Sequence, residues 1–216
     1  MTEPTPAPTP KLVRVSVSHH GGLALASESL ADPHQWSPLV WLVGAHGGAG
    51  VSTLAHSIAP CGDAGQQWPV HDQFPWCVIV ARSTRSGVEA AHDAALQAQV
   101  GKAGHCRVLG VILVDDAPGK TPKSVEQKIT VVKKVVPMIW RVPYFPQWRE
   151  VLNDELPVWS PLDDHDDEPQ QDHSVARFAR KKKAPSVLEA VPAIVQTISQ
   201  EMIDLAREAN SHVKSF

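Results

Sequence analysis

The stretch from Leu39 to Ala59 constrains this chain more than any other part of it. Leu39-Val40-Trp41-Leu42-Val43 is continuously apolar, Gly44-Ala45-His46-Gly47-Gly48-Ala49-Gly50-Val51-Ser52-Thr53 follows at once, and Leu54 to Ala59 has a helical pattern. A short run that is apolar on both faces belongs to a strand covered on both sides. The glycines that follow permit left-handed backbone and a close approach of other groups to the main chain. The order is therefore buried strand, tight glycine turn, helix.

The same alternation continues without the glycines. Cys77-Val78-Ile79-Val80-Ala81 predicts a second buried strand, and Gly87 to Val100 predicts an Ala-rich helix with Val88, Ala91, Ala95 and Leu96 on one face. Arg107 to Val114 predicts a third strand, Pro122 to Val135 a helical stretch, and Pro137 to Val142 a fourth strand. Apolar strands separated by helical segments make an α/β fold, a three-layer sandwich with a short, mainly parallel sheet. Between the first helix and Cys77, the stretch Cys61 to Trp76 reads as a Gly/Pro/Gln loop.

A glycine turn between strand and helix is suited to holding phosphate. Consecutive backbone N–H groups curl around the anion, the helix start adds its free N–H groups, and a Ser or Thr hydroxyl ligates Mg²⁺. A lysine ordinarily neutralises the phosphate charge, and here Val51 stands in that place. Its loss removes a charge-assisted interaction of roughly 1.5–3 kcal/mol. Binding survives such a loss more readily than hydrolysis, which depends on stabilising developing charge.

The loop resembles the deviant Walker A motif of the ParA/MinD (SIMIBI-class) P-loop ATPases. Gly47, Gly48, Gly50, Ser52 and Thr53 match that motif, Ala49 replaces its valine, and His46 and Val51 stand where its two lysines would be. The spelling is more similar to TadZ/CpaE-like members, and to a family of short actinobacterial proteins with a His-Gly-Gly-Ala-Gly-x-Ser-Thr loop. Weaker similarity continues through Cys77 to Ala91, Arg107 to Asp116 and Val142-Pro143-Tyr144. The resemblance implies a P-loop NTPase-like fold, with ATP and Mg²⁺ held at Gly47 to Thr53 and the metal on Ser52. It also implies a localisation, partition or assembly factor with little intrinsic hydrolysis, and no catalytic residue is assigned.

Asp115 and Asp116 end the third apolar run and admit two readings. They face the nucleotide base, the placement that better fits the family's strand order, or they form a Walker-B-like switch that holds Mg²⁺ through water. Arg82 and Arg85 follow the second strand and are candidates to replace the missing charge, against the plainer reading of a solvated loop. His46 has two readings too, a phosphate contact when protonated or an exposed loop residue.

Composition sets the outer limits. With 20 Lys plus Arg against 23 Asp plus Glu, the net charge is −3, which argues against a surface built wholly for DNA or anionic lipid. Three cysteines at irregular spacing read as reduced thiols of a cytoplasmic protein, and no apolar run reaches the length of a membrane span. Four of the 19 prolines fall in the first ten residues, so 1–37 is expected to be a tail with a possible edge strand at Lys11 to Ser18. The nucleotide domain is expected at 38–161.

Acidic residues at 163–168 and the basic run Arg177 to Lys183 predict a solvated linker over 162–184, the basic run being a weak candidate for DNA contact. Ser186 and Glu189 have capping-box spacing, and Val191, Ile194, Val195, Ile198, Met202 and Leu205 make an apolar stripe over 185–216. That stripe docks on its own domain, or it engages a protein partner or a second copy. The second functional reading is accordingly a scaffold or adaptor that binds no nucleotide and uses this helix and the linker.

Overall fold

The computed structural model describes residues 22–70, 74–161 and 185–213. The expected strand at Lys11 to Ser18, the linker 162–184 and the basic run Arg177 to Lys183 lie outside the described residues. The elements run in chain order β1 (Ala24–Leu25), β2 (Val40–Gly44), α1 (Val51–Ser57), β3 (Cys61–Asp63), β4 (Gln67–Trp68), β5 (Trp76–Arg82) and α2 (Arg85–Gln99). They continue through β6 (Arg107–Val114), α3 (Lys123–Val132) and β7 (Ile139–Val142) to α4 (Ala193–Val213), with two 3-10 turns at Pro146–Arg149 and Asn153–Glu155. Among the described residues, no helix is long and apolar enough to cross a membrane.

The main sheet has the order β3-β2-β5-β6-β7, and every pairing in it is parallel. β1 pairs with β4 in a small separate parallel ribbon. Alternate side chains of each strand serve opposite layers, as the two-residue period requires. Val40, Leu42, Val78, Val80 and Ile112 pack with α1 and α4, whereas Trp41, Val43, Cys77, Ile79, Ala81, Val111 and Leu113 pack with α2 and α3. Helix, sheet and helix form three layers.

The alternation slips once, at the register shift opposite Cys77 and Val78. Leu109 faces the α1 and α4 side, yet Val111, two residues on, faces the α2 and α3 side. The bulge brings Gly110 so close to β7 that a Cβ there would lie 2.6 Å from the Met138 carbonyl and 2.6 Å from the Trp140 ring. Glycine is the residue such a crowded bulge takes.

Several boundaries depart from the sequence reading for physical reasons. α1 begins at Val51, inside the glycine motif, and ends at Ser57. α2 begins at Arg85 because the Thr84 hydroxyl caps it, accepting from the Gly87 N–H at 3.0 Å. Leu96, expected on its buried face, is exposed, and Ala94 is buried in its place. α3 stops at Val132, short of the expected Val135, and Val135 and Val136 fall in the turn before β7.

Cys61 to Trp76 is not simply a loop. It carries β3, which pairs with β2 from Val40↔Cys61 to Leu42↔Asp63, and then β4. Three residues are too few to show a periodicity, so β3 left no pattern to read.

Ser186 and Glu189 close a turn before α4 rather than capping it; the Ser186 N–H donates to Glu189 Oε2 at 2.8 Å, and the helix starts only after Pro192. Val195, Ile198, Met202, Ile203 and Ala206 of α4 are buried against the sheet, and Glu201 accepts from the Trp140 indole at 2.7 Å. Val191, Val195, Ile198 and Met202 of the expected stripe are thus spent inside the domain, whereas Ile194 stays exposed. The segment 143–161 packs across α1: Trp159 bridges Ile58, and the Thr53 hydroxyl donates to Asn153 at 3.0 Å.

Candidate functional site

In strand order the chain starts the main sheet at β2, steps to β3 on one side, then crosses to β5 on the other. Loops leave β2 and β5 in opposite directions at this reversal, which opens a crevice at the carboxyl ends of the strands, the usual ligand position in open parallel sheets. The glycine loop follows β2 on one side of the reversal, and Arg82 ends β5 on the other.

The loop is fixed by its neighbours. The Gly44 N–H donates to Gly65 O at 2.7 Å and the Ala45 N–H to Val80 O at 2.9 Å. His46 then bridges loop and sheet, with Nδ1 2.8 Å from Gly47 O and Nε2 accepting the Arg82 N–H at 3.0 Å. A lone pair is needed at Nε2 and a proton at Nδ1, which defines the neutral tautomer. Both ring nitrogens are engaged inside the protein, so His46 is an anchor of the loop as well as part of the cavity lining.

Gly48 and Gly50 have φ of 71° and 98°, values that L side chains rarely adopt. The carbonyls of Gly47 and Gly48 are occupied by His46 and Arg82, while the N–H groups of Gly47, Gly48, Ala49 and Gly50 meet no protein acceptor among the described residues. Carbonyls tied back and N–H groups left over make a concavity suited to an anion. Ser52 is exposed beside it. Val51 is buried in the core next to α4, so its position contributes no polar group.

Two cavities meet at this loop. One, about 350 Å³, is lined by Gly44 and His46 to Thr53 with Asp63, Gly65, Gln66 and Arg82. The other, about 340 Å³, lies over the ends of β6 and β7 and is walled by Tyr144, Phe145 and Trp148, with Asp115, Asp116 and Arg149. Gly50, Thr53 and Arg82 line both. Phe145 and Trp148 pack in a tilted pair with ring centroids 4.9 Å apart and planes 43° from parallel, and the Trp148 indole donates to Val187 O at 3.0 Å. Arg149 donates to the Tyr144 hydroxyl at 2.8 Å, a hydrogen bond that pushes its guanidinium above the ordinary value.

Arg82 is no solvated loop residue. Its Nε donates to Gly48 O at 2.9 Å and its Nη1 to Asp115 O at 3.4 Å, so it spans the junction of the two cavities. Arg85 is exposed and lines neither cavity. Asp115 and Asp116 line the aromatic cavity and are absent from the glycine-loop cavity that Ser52 lines. One Asp115 carboxylate oxygen, Oδ1, is buried and finds no hydrogen-bond partner among the described residues.

Asp63, missed in the sequence, shares the glycine-loop cavity with Ser52 and uses Oδ1 to accept from the Gly65 N–H at 2.7 Å. Among the described residues, no cluster of three or more His, Cys, Asp or Glu side chains is placed to hold a metal. Ser52 and the second oxygen of Asp63 line the same cavity and would be oxygen donors for a Mg²⁺ that arrives with phosphate, a hard-ligand type this ion accepts while keeping several waters. The aromatic wall and the loop's spare N–H groups likewise fit the two ends of a nucleotide. Cys61, beside this region, keeps part of its surface exposed, yet desolvation by its surroundings pushes the thiol from 9.0 up to about 12, which makes it a poor nucleophile.

Fold and site together define an α/β protein with a doubly wound parallel sheet and a glycine-loop crevice at its reversal point. The chain belongs to the family described as "Family of unknown function (DUF6668)", which matches residues 38–158, more than half of its 216 residues. No curated protein and no solved structure matches it.

Proposed function

We propose that this chain is a degenerate P-loop nucleotide-binding protein, with Mg-ATP as the best-fitting ligand. The phosphates lie against Gly47 to Thr53 and the base lies between Asp115, Asp116 and the aromatic wall. The observation that carries this reading is the continuity of the two cavities through Gly50, Thr53 and Arg82. An anion-binding concavity joined to an aromatic one has the polarity of a nucleotide, charged at one end and flat and apolar at the other. The unpartnered Asp115 oxygen adds a buried acceptor next to the base end.

Hydrolysis is not what this site is built for. The helix-start position holds a buried valine, and the charge that would stabilise phosphoryl transfer is absent there. The role that follows is nucleotide-dependent localisation, partition or assembly rather than turnover. The adaptor reading is weaker, because most of the apolar stripe of α4 is covered by the sheet, with Ile194 left exposed.

A thermal-shift titration with Mg-ATP and Mg-GTP tests the proposal. Ligand at 100 times its Kd adds about 2.7 kcal/mol of stability. A saturable shift that a Gly50→Val, Ser52→Ala double variant loses supports the reading. No shift at millimolar nucleotide, or an equal shift in the double variant, rejects it.

A further inference from the structure

The crevice carries one guanidinium where its two cavities join, and the reading of the site as a nucleotide pocket leaves that group without a task. We propose that Arg82 is the phosphate-binding cation of this site, and that it engages the phosphates nearest the nucleoside rather than the terminal one. The inference rests on the nucleotide-binding proposal and adds the group that supplies the charge and the part of the ligand it reads.

The position of Arg82 follows from the sheet. It is the last residue of β5, paired with Val114 of β6, and its backbone N–H is held by His46. The side chain is pinned at Nε by Gly48 O and at Nη1 by Asp115 O. Guanidinium has five N–H donors, and these bonds use two, leaving a charged, oriented group with donors to spare. Among the described residues no carboxylate makes an ion pair with Arg82, although Asp115 and Asp116 share one cavity with it and Asp63 the other, so the partly buried guanidinium keeps charged donors to offer an anion.

Location then sets preference. A ligand whose base sits against Tyr144, Phe145 and Trp148 and whose phosphate chain enters the glycine loop must cross the junction with its first phosphates. A lysine at the start of α1 would reach the far end of the chain, but Val51 is buried there. A terminal phosphate therefore gains little from the protein's one junction cation, and diphosphate and triphosphate should bind alike.

Isothermal titration of the full chain with Mg-ADP and Mg-ATP, at low and high salt, tests this. The two nucleotides are expected to bind within about threefold of each other, since only screened, more distant charge distinguishes them. Arg82→Gln, which keeps a donor for Gly48 O but removes the charge, is expected to weaken both by about tenfold or more and to flatten the salt dependence. Arg82→Lys is expected to keep most of the affinity, and Arg85→Gln all of it.

Equal binding by wild type and Arg82→Gln, or ATP binding about tenfold or more tighter than ADP, overturns the inference while leaving the nucleotide reading intact. Loss of binding in a folded Arg82→Lys variant overturns the role of charge. If Arg82→Gln does not fold, the wild-type ADP and ATP comparison and the lysine variant decide the matter. Failure of the wild type to bind either nucleotide overturns the nucleotide reading and this inference with it.

Discussion

The two halves of the crevice are built by different means. The glycine-loop half comes mainly from one continuous stretch, Gly44 and His46 to Thr53, and offers backbone groups, with two left-handed glycines setting its curvature and Asp63, Gly65, Gln66 and Arg82 completing the wall. The aromatic half is assembled from β6, β7 and the turn beyond, with side chains from Val114 to Arg149 converging on it. A backbone-built wall depends on conformation and fails as a unit, whereas a side-chain wall loses its contributions one residue at a time. Arg82 and His46 tie the halves together through the β5 end.

That contrast can be broken first at the loop. Gly50→Val forces a β-branched residue to φ 98°, a conformation costing about 1–3 kcal/mol that the chain will relax away from. Mg-ATP affinity is expected to fall by about a hundredfold or more, because the N–H groups lose their common focus and each charge-assisted bond is worth roughly 1.5–3 kcal/mol. Titration calorimetry reads it, and retention of full affinity would show that the loop curvature does not matter.

On the aromatic side the effect is expected to be smaller and divisible. Trp148→Ala removes one ring of the wall and should cost about 1–3 kcal/mol of binding, the usual worth of a base–aromatic stack, without abolishing it. A loss as complete as that of Gly50→Val would erase the distinction between the two halves.

The anchor between them gives a third test. His46→Ala frees Gly47 O and the Arg82 N–H and should lower unfolding stability by about 1–3 kcal/mol, two ordinary hydrogen bonds, measured by denaturant titration. An unchanged midpoint would show that His46 does not hold the loop.

The smallest effect is expected at Cys61. Its thiol, raised from 9.0 to about 12, favours the folded state fully below pH 9, and this contribution disappears as pH climbs through about 12. Native protein at pH 8 should therefore leave Cys61 unalkylated by iodoacetamide, as peptide mass mapping would show. Rapid labelling would contradict that desolvation.

How much was legible in the sequence follows the same division. The three central strands of the main sheet showed themselves as apolar runs, since burial on both faces leaves a continuous signal, while the edge strand β7 is shorter and is interrupted by Arg141. The glycine loop was legible because its geometry demands glycine locally. Asp63 was not, because β3 is three residues long and is defined by pairing with β2. Arg82 was visible as a candidate, but its bond to Gly48 O is a contact across 34 residues that no local pattern encodes. That Tyr144, Phe145 and Trp148 wall a cavity depends on where the turn after β7 runs.

The most direct test of the central claim, that the two cavities form one nucleotide site, is an amide-resolved NMR titration of the full chain with Mg-ATP. Binding as proposed shifts the backbone amides of Gly47 to Thr53 and the Trp148 indole together, along one saturation curve with a single Kd. Shifts confined to one half, separate curves for the two halves, or no shift at millimolar nucleotide would contradict it.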